Sequence, residues 1–203
     1  MDADRSKNVA DEFMLTEYEN IASAHFDSQA GVRQHFRFYL LIIAIPLSVM
    51  SFVIKDQGIQ NVGSLKLFQL PQILATAFLA IGFVGGLMLL SLIHTALDAT
   101  LYARTVNGIR SYFVDRAAET GTALGKYLKL PTQQNRPKYL HIRALFWQVM
   151  LVSILNSAYI LIGIHSIWPN DVAACIAAGI AFLVQVGSYF TFAITREKKE
   201  ISG

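Results

Sequence analysis

Residues 67–97 read LFQLPQILATAFLAIGFVGGLMLLSLIHTAL and contain no aspartate, glutamate, lysine or arginine. A transmembrane helix needs about 20 predominantly apolar residues, so this run is long enough to cross a bilayer. Other uncharged runs occupy 38–54, 144–170 and 172–194. The 203-residue chain is 15% charged, whereas soluble domains average about 25%. We therefore predict an all-α membrane protein, a single domain over 1–203, with transmembrane helices at 38–54, 70–95, 144–167 and 172–194.

The distribution of basic residues predicts the orientation. Lysine and arginine are concentrated in the arm 1–37, in the basic region 98–143 and after 194. Between the first two runs only Lys55 and Lys66 occur, and the turn around Trp168 has neither residue type. Because loops rich in lysine and arginine stay on the cytoplasmic side, we expect a multi-pass inner-membrane protein with both termini and the basic region in the cytoplasm.

The arm has the spacing of an amphipathic helix. Leu15, Tyr18, Ala22 and His25 recur at intervals of three or four, with acidic residues between them. Membrane-surface helices usually carry lysine and arginine on the polar face, and this polar face is acidic in its first half. Packing against a partner helix is therefore favoured over binding to anionic lipid.

The basic region contains KYLKLPTQQNRPKYLHIR, residues 126–143. Over 98–143, eight lysines and arginines face three acidic residues, with tyrosines between them. Cations neutralise phosphates and aromatic rings stack on bases, which favours a nucleotide or single-stranded oligonucleotide ligand. Topology alone or contact with anionic membrane lipid would also explain these charges. The candidate ligand-binding residues are Arg104, Arg110, Arg136, Lys138, Tyr139 and Arg143.

Helical spacing continues past the second run. It predicts that this helix extends beyond the membrane, that Gly121 and Gly125 weaken it, and that 131–137 is irregular.

Small and polar residues within the runs predict helix association. Gly82 and Gly86 form a G-x-x-x-G motif, and Ala173, Ala177 and Ala181 recur every four residues. Such residues let helix backbones approach closely in lipid. We expect close packing within the chain or between copies in a homo-oligomer, with a tetramer favoured.

Three polar residues of the last run, Gln185, Ser188 and Thr191, are candidate pore-lining residues around a symmetry axis. Hydrogen bonding between helices is the alternative for these side chains and for Asn156.

Catalytic motifs are absent from the sequence, so we expect neither enzymatic activity nor a cofactor. The five histidines are scattered, except that His94 and Asp98 lie four residues apart on one helical face and could bind a cation or relay a proton. Two ligands do not make a metal site. The single cysteine, Cys175, excludes an intrachain disulfide.

The segment TEYENIASAHFDSQAGVRQHFRFYLLIIAIPLS, residues 16–48, resembles the entry to the first span in small membrane effectors of bacterial anti-phage defence operons, with the Hailong-type channel effector as the nearest type. The resemblance covers the first forty residues and the plan of four spans with a basic loop. It implies an oligomeric ion channel controlled by a nucleotide or oligonucleotide from a signal-making enzyme of the same operon. No residue role is carried over, because the segment has no diagnostic motif.

Two functions therefore stay open. One is a ligand-gated, pore-forming effector, and the other is a non-conducting membrane anchor or scaffold that recruits soluble partners.

Overall fold

The computed structural model describes residues 2–56, 72–123, 126, 131–140 and 144–202, with side chains described except at 2–8, 47, 50, 52–56, 201 and 202. This part of the chain is all-helical, without strands. Its helices are α1 (Asp2–Asp56), α2 (Gln72–Glu119), α3 (Ala144–Ile167) and α4 (Asp171–Ser202). Among them, α2, α3 and α4 are long and apolar enough to cross a membrane.

The helix bounds agree with much of the predicted organisation. The third predicted span coincides with α3, and α4 contains the fourth. The prediction that the second span extends as a helix is confirmed, because α2 continues to Glu119. Residues 131–140 form turns and bends, as predicted. The predicted first span lies inside α1 as helix, while the predicted outer loop 57–66, Gly125 and Arg143 fall outside the described residues.

Local capping explains where two helices end or begin. At the end of α2, Gly121 has φ of 79°, and Thr122 donates its N–H to the Ala117 carbonyl at 2.9 Å. A glycine in the left-handed region with this bond is the Schellman motif, which satisfies free carbonyls at a helix end. At the start of α4, Asn170 Oδ1 accepts the Ala173 N–H at 3.0 Å, an N-cap.

The chain forms two compact units. The first unit comprises residues 1–32 and 95–139, and the second comprises 33–94 and 140–202. The first contains most of the predicted arm and basic region. The second contains nearly all residues of the four predicted spans.

In the first unit the arm of α1 lies antiparallel to α2. Tyr112 and Arg116 contact Asp11, and His25 Nδ1 donates to the Ala99 carbonyl at 2.9 Å. Positions therefore pair in reverse order along the two helices. The arm does pack against a partner helix, which is α2 of the same chain. Three large apolar side chains of the arm, Phe13, Leu15 and Phe26, are exposed, so the separation of polar and apolar residues is incomplete.

In the second unit the four helical segments alternate in direction. Tyr39 contacts Asn156 and Tyr159 contacts Ile43, so α1 and α3 run parallel. Contacts from α2 to α3 run in reverse order, since Leu79 meets Gly163 and Gly85 meets Asn156. The same holds for α4, since Phe146 contacts Tyr189 and Asn156 bonds to Gln185. This is an up-down arrangement of four helices.

Glycines permit close approach of α2 and α3. A Cβ at Gly82 would lie 2.8 Å from Ile160 Cγ1, and one at Gly85 would overlap the Asn156 amide oxygen. At Gly86, the second glycine of the predicted motif, such a Cβ would have no atom of the described residues within 4 Å. The seam within the chain therefore uses Gly82 and Gly85. In the first half of α4, Ala174 and Ala178 are buried. They lie one position away from the predicted series, whose members are half-buried.

Candidate functional site

An irregular segment, residues 131–139, is fastened to α2 in the first unit by side chains of that helix. Arg104 donates Nε–H to the Pro137 carbonyl at 2.7 Å. One turn further on, Asn107 donates Nδ2–H to the Arg136 carbonyl at 2.8 Å. Both bonds satisfy backbone carbonyls that have no helix or sheet to pair them. Helical spacing places the two donors on one side of α2. This side of the helix, with Arg104 and Asn107, is the support for the segment.

Two predicted ligand-binding residues are buried against each other in this support. The Arg104 guanidinium carbon lies 4.3 Å from the centroid of the Tyr139 ring. Arg104 is 6% exposed and Tyr139 is 0% exposed. A cation over a desolvated aromatic face contributes about 2 kcal/mol. This pair therefore holds the segment in place, and Tyr139 has no exposed ring surface for a stacked base.

Arg110 occupies a different position. It is half-buried, and its guanidinium lies between α1 and the support for the segment. Nη1 donates to Asn107 Oδ1 at 3.2 Å, and Nη2 lies 3.5 Å from the Tyr18 hydroxyl. A hydrogen-bonded chain thus runs from the arm through Arg110 and Asn107 to the Arg136 carbonyl. Asn107 and Tyr18 were not among the predicted ligand-binding residues, although Asn107 precedes Arg110 by the i, i+3 helical spacing.

Two of the remaining predicted cations are at the surface. Arg136 and Lys138 are both exposed, so their side chains can meet a ligand without rearrangement of the segment. Arg143 lies outside the described residues. The structure thus separates a buried pair that holds the segment from cations that solvent can reach.

An ion pair completes the contact between the arm and α2. Arg116 Nη2 lies 3.2 Å from Asp11 Oδ2, and Tyr112 donates its hydroxyl to Asp11 Oδ1 at 2.8 Å. The hydrogen bond to the Asp11 carboxylate is the largest of several effects that raise the pKa of Tyr112. A raised folded-state pKa stabilises the fold below the ordinary tyrosine value of about 10. This contribution is lost only as the pH rises through the folded-state pKa, so the contact persists at neutral pH.

The three predicted pore-lining residues have different environments in the second unit. Gln185 is 9% exposed and accepts Asn156 Nδ2–H at 2.9 Å, so it bonds between helices. Ser188 donates to the Val184 carbonyl at 2.7 Å, and Thr191 donates to the Gly187 carbonyl at 2.9 Å. Ser188 is half-buried and Thr191 is exposed. Only these two remain available to face a neighbouring copy or water.

Asn156 is the central polar residue of the second unit. It is fully buried, its Oδ1 accepts the Tyr39 hydroxyl at 2.9 Å, and its Nδ2 donates to Gln185. Gly85 leaves the space that its amide occupies. One side chain of α3 therefore contacts the other three helices.

His94 has an aromatic neighbour. Its ring centroid lies 4.6 Å from that of Phe192. Within the described ranges, no three histidine, cysteine, aspartate or glutamate residues are grouped to hold a metal ion.

No protein-family model matches the sequence, and no curated protein or solved structure is significantly similar to it.

Proposed function

We propose that the protein is a homo-oligomeric, pore-forming ion channel of the bacterial inner membrane, controlled by a nucleotide or oligonucleotide on its first unit. In this proposal residues 38–54 of α1 span the membrane in addition to α2, α3 and α4, and both termini are cytoplasmic. A tetramer is favoured, and the resemblance of residues 16–48 suggests a role in anti-phage defence beside a signal-making enzyme.

The observation that supports this proposal is that α2 has residues in both units. This helix carries Arg104, Asn107 and Arg110 in the first unit, and its 72–94 segment packs through Gly82 and Gly85 in the second. A ligand that changes the arrangement of the basic region therefore acts on a helix that also contains a membrane span.

The parallel course of α1 and α3 supports a membrane span in residues 38–54 of α1. Tyr39 and Ile43 bond to α3 residues that lie inside a candidate span. The buried amides also favour a membrane location, because polar groups in hydrocarbon must find partners within the protein.

Ion flux from liposomes tests this function. The purified protein is incorporated into liposomes loaded with a potassium-sensitive dye, and flux is measured with and without ATP or a thymidine hexanucleotide. We expect an oligomer by light scattering and a flux that responds to one of the ligands.

A scaffold is the second candidate, because large apolar side chains are exposed on the arm. Phe13 and Phe26 are 63% and 68% exposed and lie outside every predicted span, as in surfaces that bind proteins. An absence of flux under all conditions, with the oligomer intact, would favour this function over a channel.

A further inference from the structure

The charge of Arg110 is not neutralised within the described part of the chain. Its hydrogen-bonding neighbours are the Asn107 amide and the Tyr18 hydroxyl, both neutral, and no carboxylate of the described residues lies within 4.0 Å. Arg116, six residues further along α2, has Asp11 as its counter-ion at 3.2 Å. A half-buried guanidinium held by neutral groups is oriented in advance for an external anion.

The groups around Arg110 have several unused N–H and O–H donors and carry no negative charge. A guanidinium has five N–H donors, and two are used here. The Tyr18 hydroxyl accepts one of them, so its own O–H is left without an acceptor among the described residues. Asn107 uses its oxygen for Arg110 and an amide N–H for the Arg136 carbonyl. A ligand at this point must supply several acceptor oxygens and negative charge, which is the chemistry of a phosphate group.

The position along α2 favours a soluble source for this phosphate over a lipid. From Thr95, at the end of the predicted span, to Arg110 is fifteen residues, or about 22 Å of helix rise. The headgroup layer is only about 5–8 Å thick on each side of the hydrocarbon. Ordinary helix tilts of about 20° shorten this separation little.

We propose that Arg110 and Tyr18 bind the phosphate group of a soluble ligand between the arm and α2. The inference rests on the proposed function for the membrane position of α2, and it deepens that function by assigning the anchor of the ligand. Because Tyr18 belongs to the arm, the bound phosphate adds a bond between α1 and α2. Binding therefore fixes the arm on α2.

Calorimetric titration tests this site. Pyrophosphate, ATP and a thymidine hexanucleotide are each titrated into wild-type protein, Arg110→Gln, Tyr18→Phe and Lys198→Gln in detergent free of phospholipid. Lys198 is an exposed cation of α4, so its variant controls for the loss of one charge. Tyr18→Phe retains the ring and its packing, which keeps the test valid if Arg110→Gln perturbs the fold. The titrations are repeated in nanodiscs with and without phosphatidylglycerol.

At least one soluble probe should bind the wild type. Arg110→Gln should weaken this binding about tenfold to a hundredfold, as expected for hydrogen bonds to a charged group. Tyr18→Phe should weaken it about threefold to tenfold. Lys198→Gln and phosphatidylglycerol should leave it unchanged.

The contrary outcomes are distinct. Equal binding by wild type, Arg110→Gln and Tyr18→Phe would overturn this site while leaving ligand control by other cations, such as Arg136, in place. Competition by phosphatidylglycerol would assign the site to a lipid and overturn the soluble source. Failure of all three probes to bind the wild type would overturn the site and remove the support for phosphate control of conductance.

Discussion

The amide of Asn156 is a polar group in the interior of the second unit that fixes how the helices pack. Its oxygen and nitrogen bond to Tyr39 and Gln185. In an apolar environment a buried amide that loses its partners destabilises the fold by about 1–3 kcal/mol. The position of α3 relative to α1 and α4 is therefore fixed by side-chain bonds in addition to packing.

Gly85→Ala tests this arrangement. The added methyl overlaps the Asn156 amide oxygen, and the amide cannot move without losing its bonds. We expect a destabilisation of about 1–3 kcal/mol, measured as a lower thermal unfolding midpoint of the detergent-solubilised protein. Gly86→Ala is the matched control, since a Cβ there meets nothing within 4 Å and alanine favours helix. An equal decrease in both variants would contradict the described seam.

The sequence could predict the kinds of residues at this seam but not which of them meet. Gly82, Gly85 and Gly86 lie on overlapping sides of one helix, and only the position of α3 decides that Gly85 faces Asn156. The charge pattern of the sequence likewise does not distinguish buried arginines from exposed ones. Burial distinguishes Arg104, which covers Tyr139, from the exposed Arg136.

The segment 131–139 keeps a defined path without secondary structure because α2 supplies its hydrogen bonds. Gly108 gives room for Gln134, whose Cγ would lie 3.4 Å from a Cβ at that glycine. The sequence predicted an irregular connection from its prolines. It could not predict the path, because the bonds run from side chains to carbonyls that no local pattern marks.

Arg104→Gln should release this segment. It removes the contact with the Tyr139 ring, about 2 kcal/mol, and also the charged donor to Pro137. Amide hydrogen exchange over 131–140 should then accelerate at least roughly thirtyfold. Arg136→Gln is the control. Asn107 bonds to the backbone carbonyl of Arg136 and not to its side chain, so this variant should not change the exchange rate. Similar acceleration in the two variants would show that Arg104 does not hold the segment.

Replacing the exposed cations together should affect ligand binding and spare the fold. For Arg136→Ala combined with Lys138→Ala we expect unchanged oligomer size and weaker binding of the thymidine hexanucleotide. If both side chains contact phosphates, the salt dependence of binding should decrease by about two units of slope. If the wild type and the double variant gave the same titrations at each of two salt concentrations, these residues would only orient the chain in the membrane. Tyr139→Ala, in contrast, tests the packing of the segment, because that ring is buried.

The order of helices in the whole chain was predictable because hydrocarbon restricts sequence strongly. Long uncharged runs must become helices that satisfy their own backbone, and α3 begins and ends where its run predicts. The spacing of the arm predicted its helix, but its packing on α2 depends on contacts such as those of Asp11 and His25. These contacts join positions distant in sequence.

Cysteine labelling tests the orientation. In a Cys175→Ser background, single cysteines replace the exposed residues Gln134 and Trp168. We expect a membrane-impermeant maleimide to label position 168 in intact cells and position 134 only after lysis, because the basic residues retain their region in the cytoplasm. Strong labelling of position 134 from outside would reverse the proposed topology.

Ligand-gated conduction is tested by the current across a planar bilayer, recorded while ligand is added to one side at a time. We expect a steady conductance that changes when a thymidine hexanucleotide or ATP reaches the side carrying the first unit. The other side should give no change, and Arg110→Gln should reduce the response. A purified oligomer that conducts no current with either ligand on either side would show that the protein is not a ligand-gated channel.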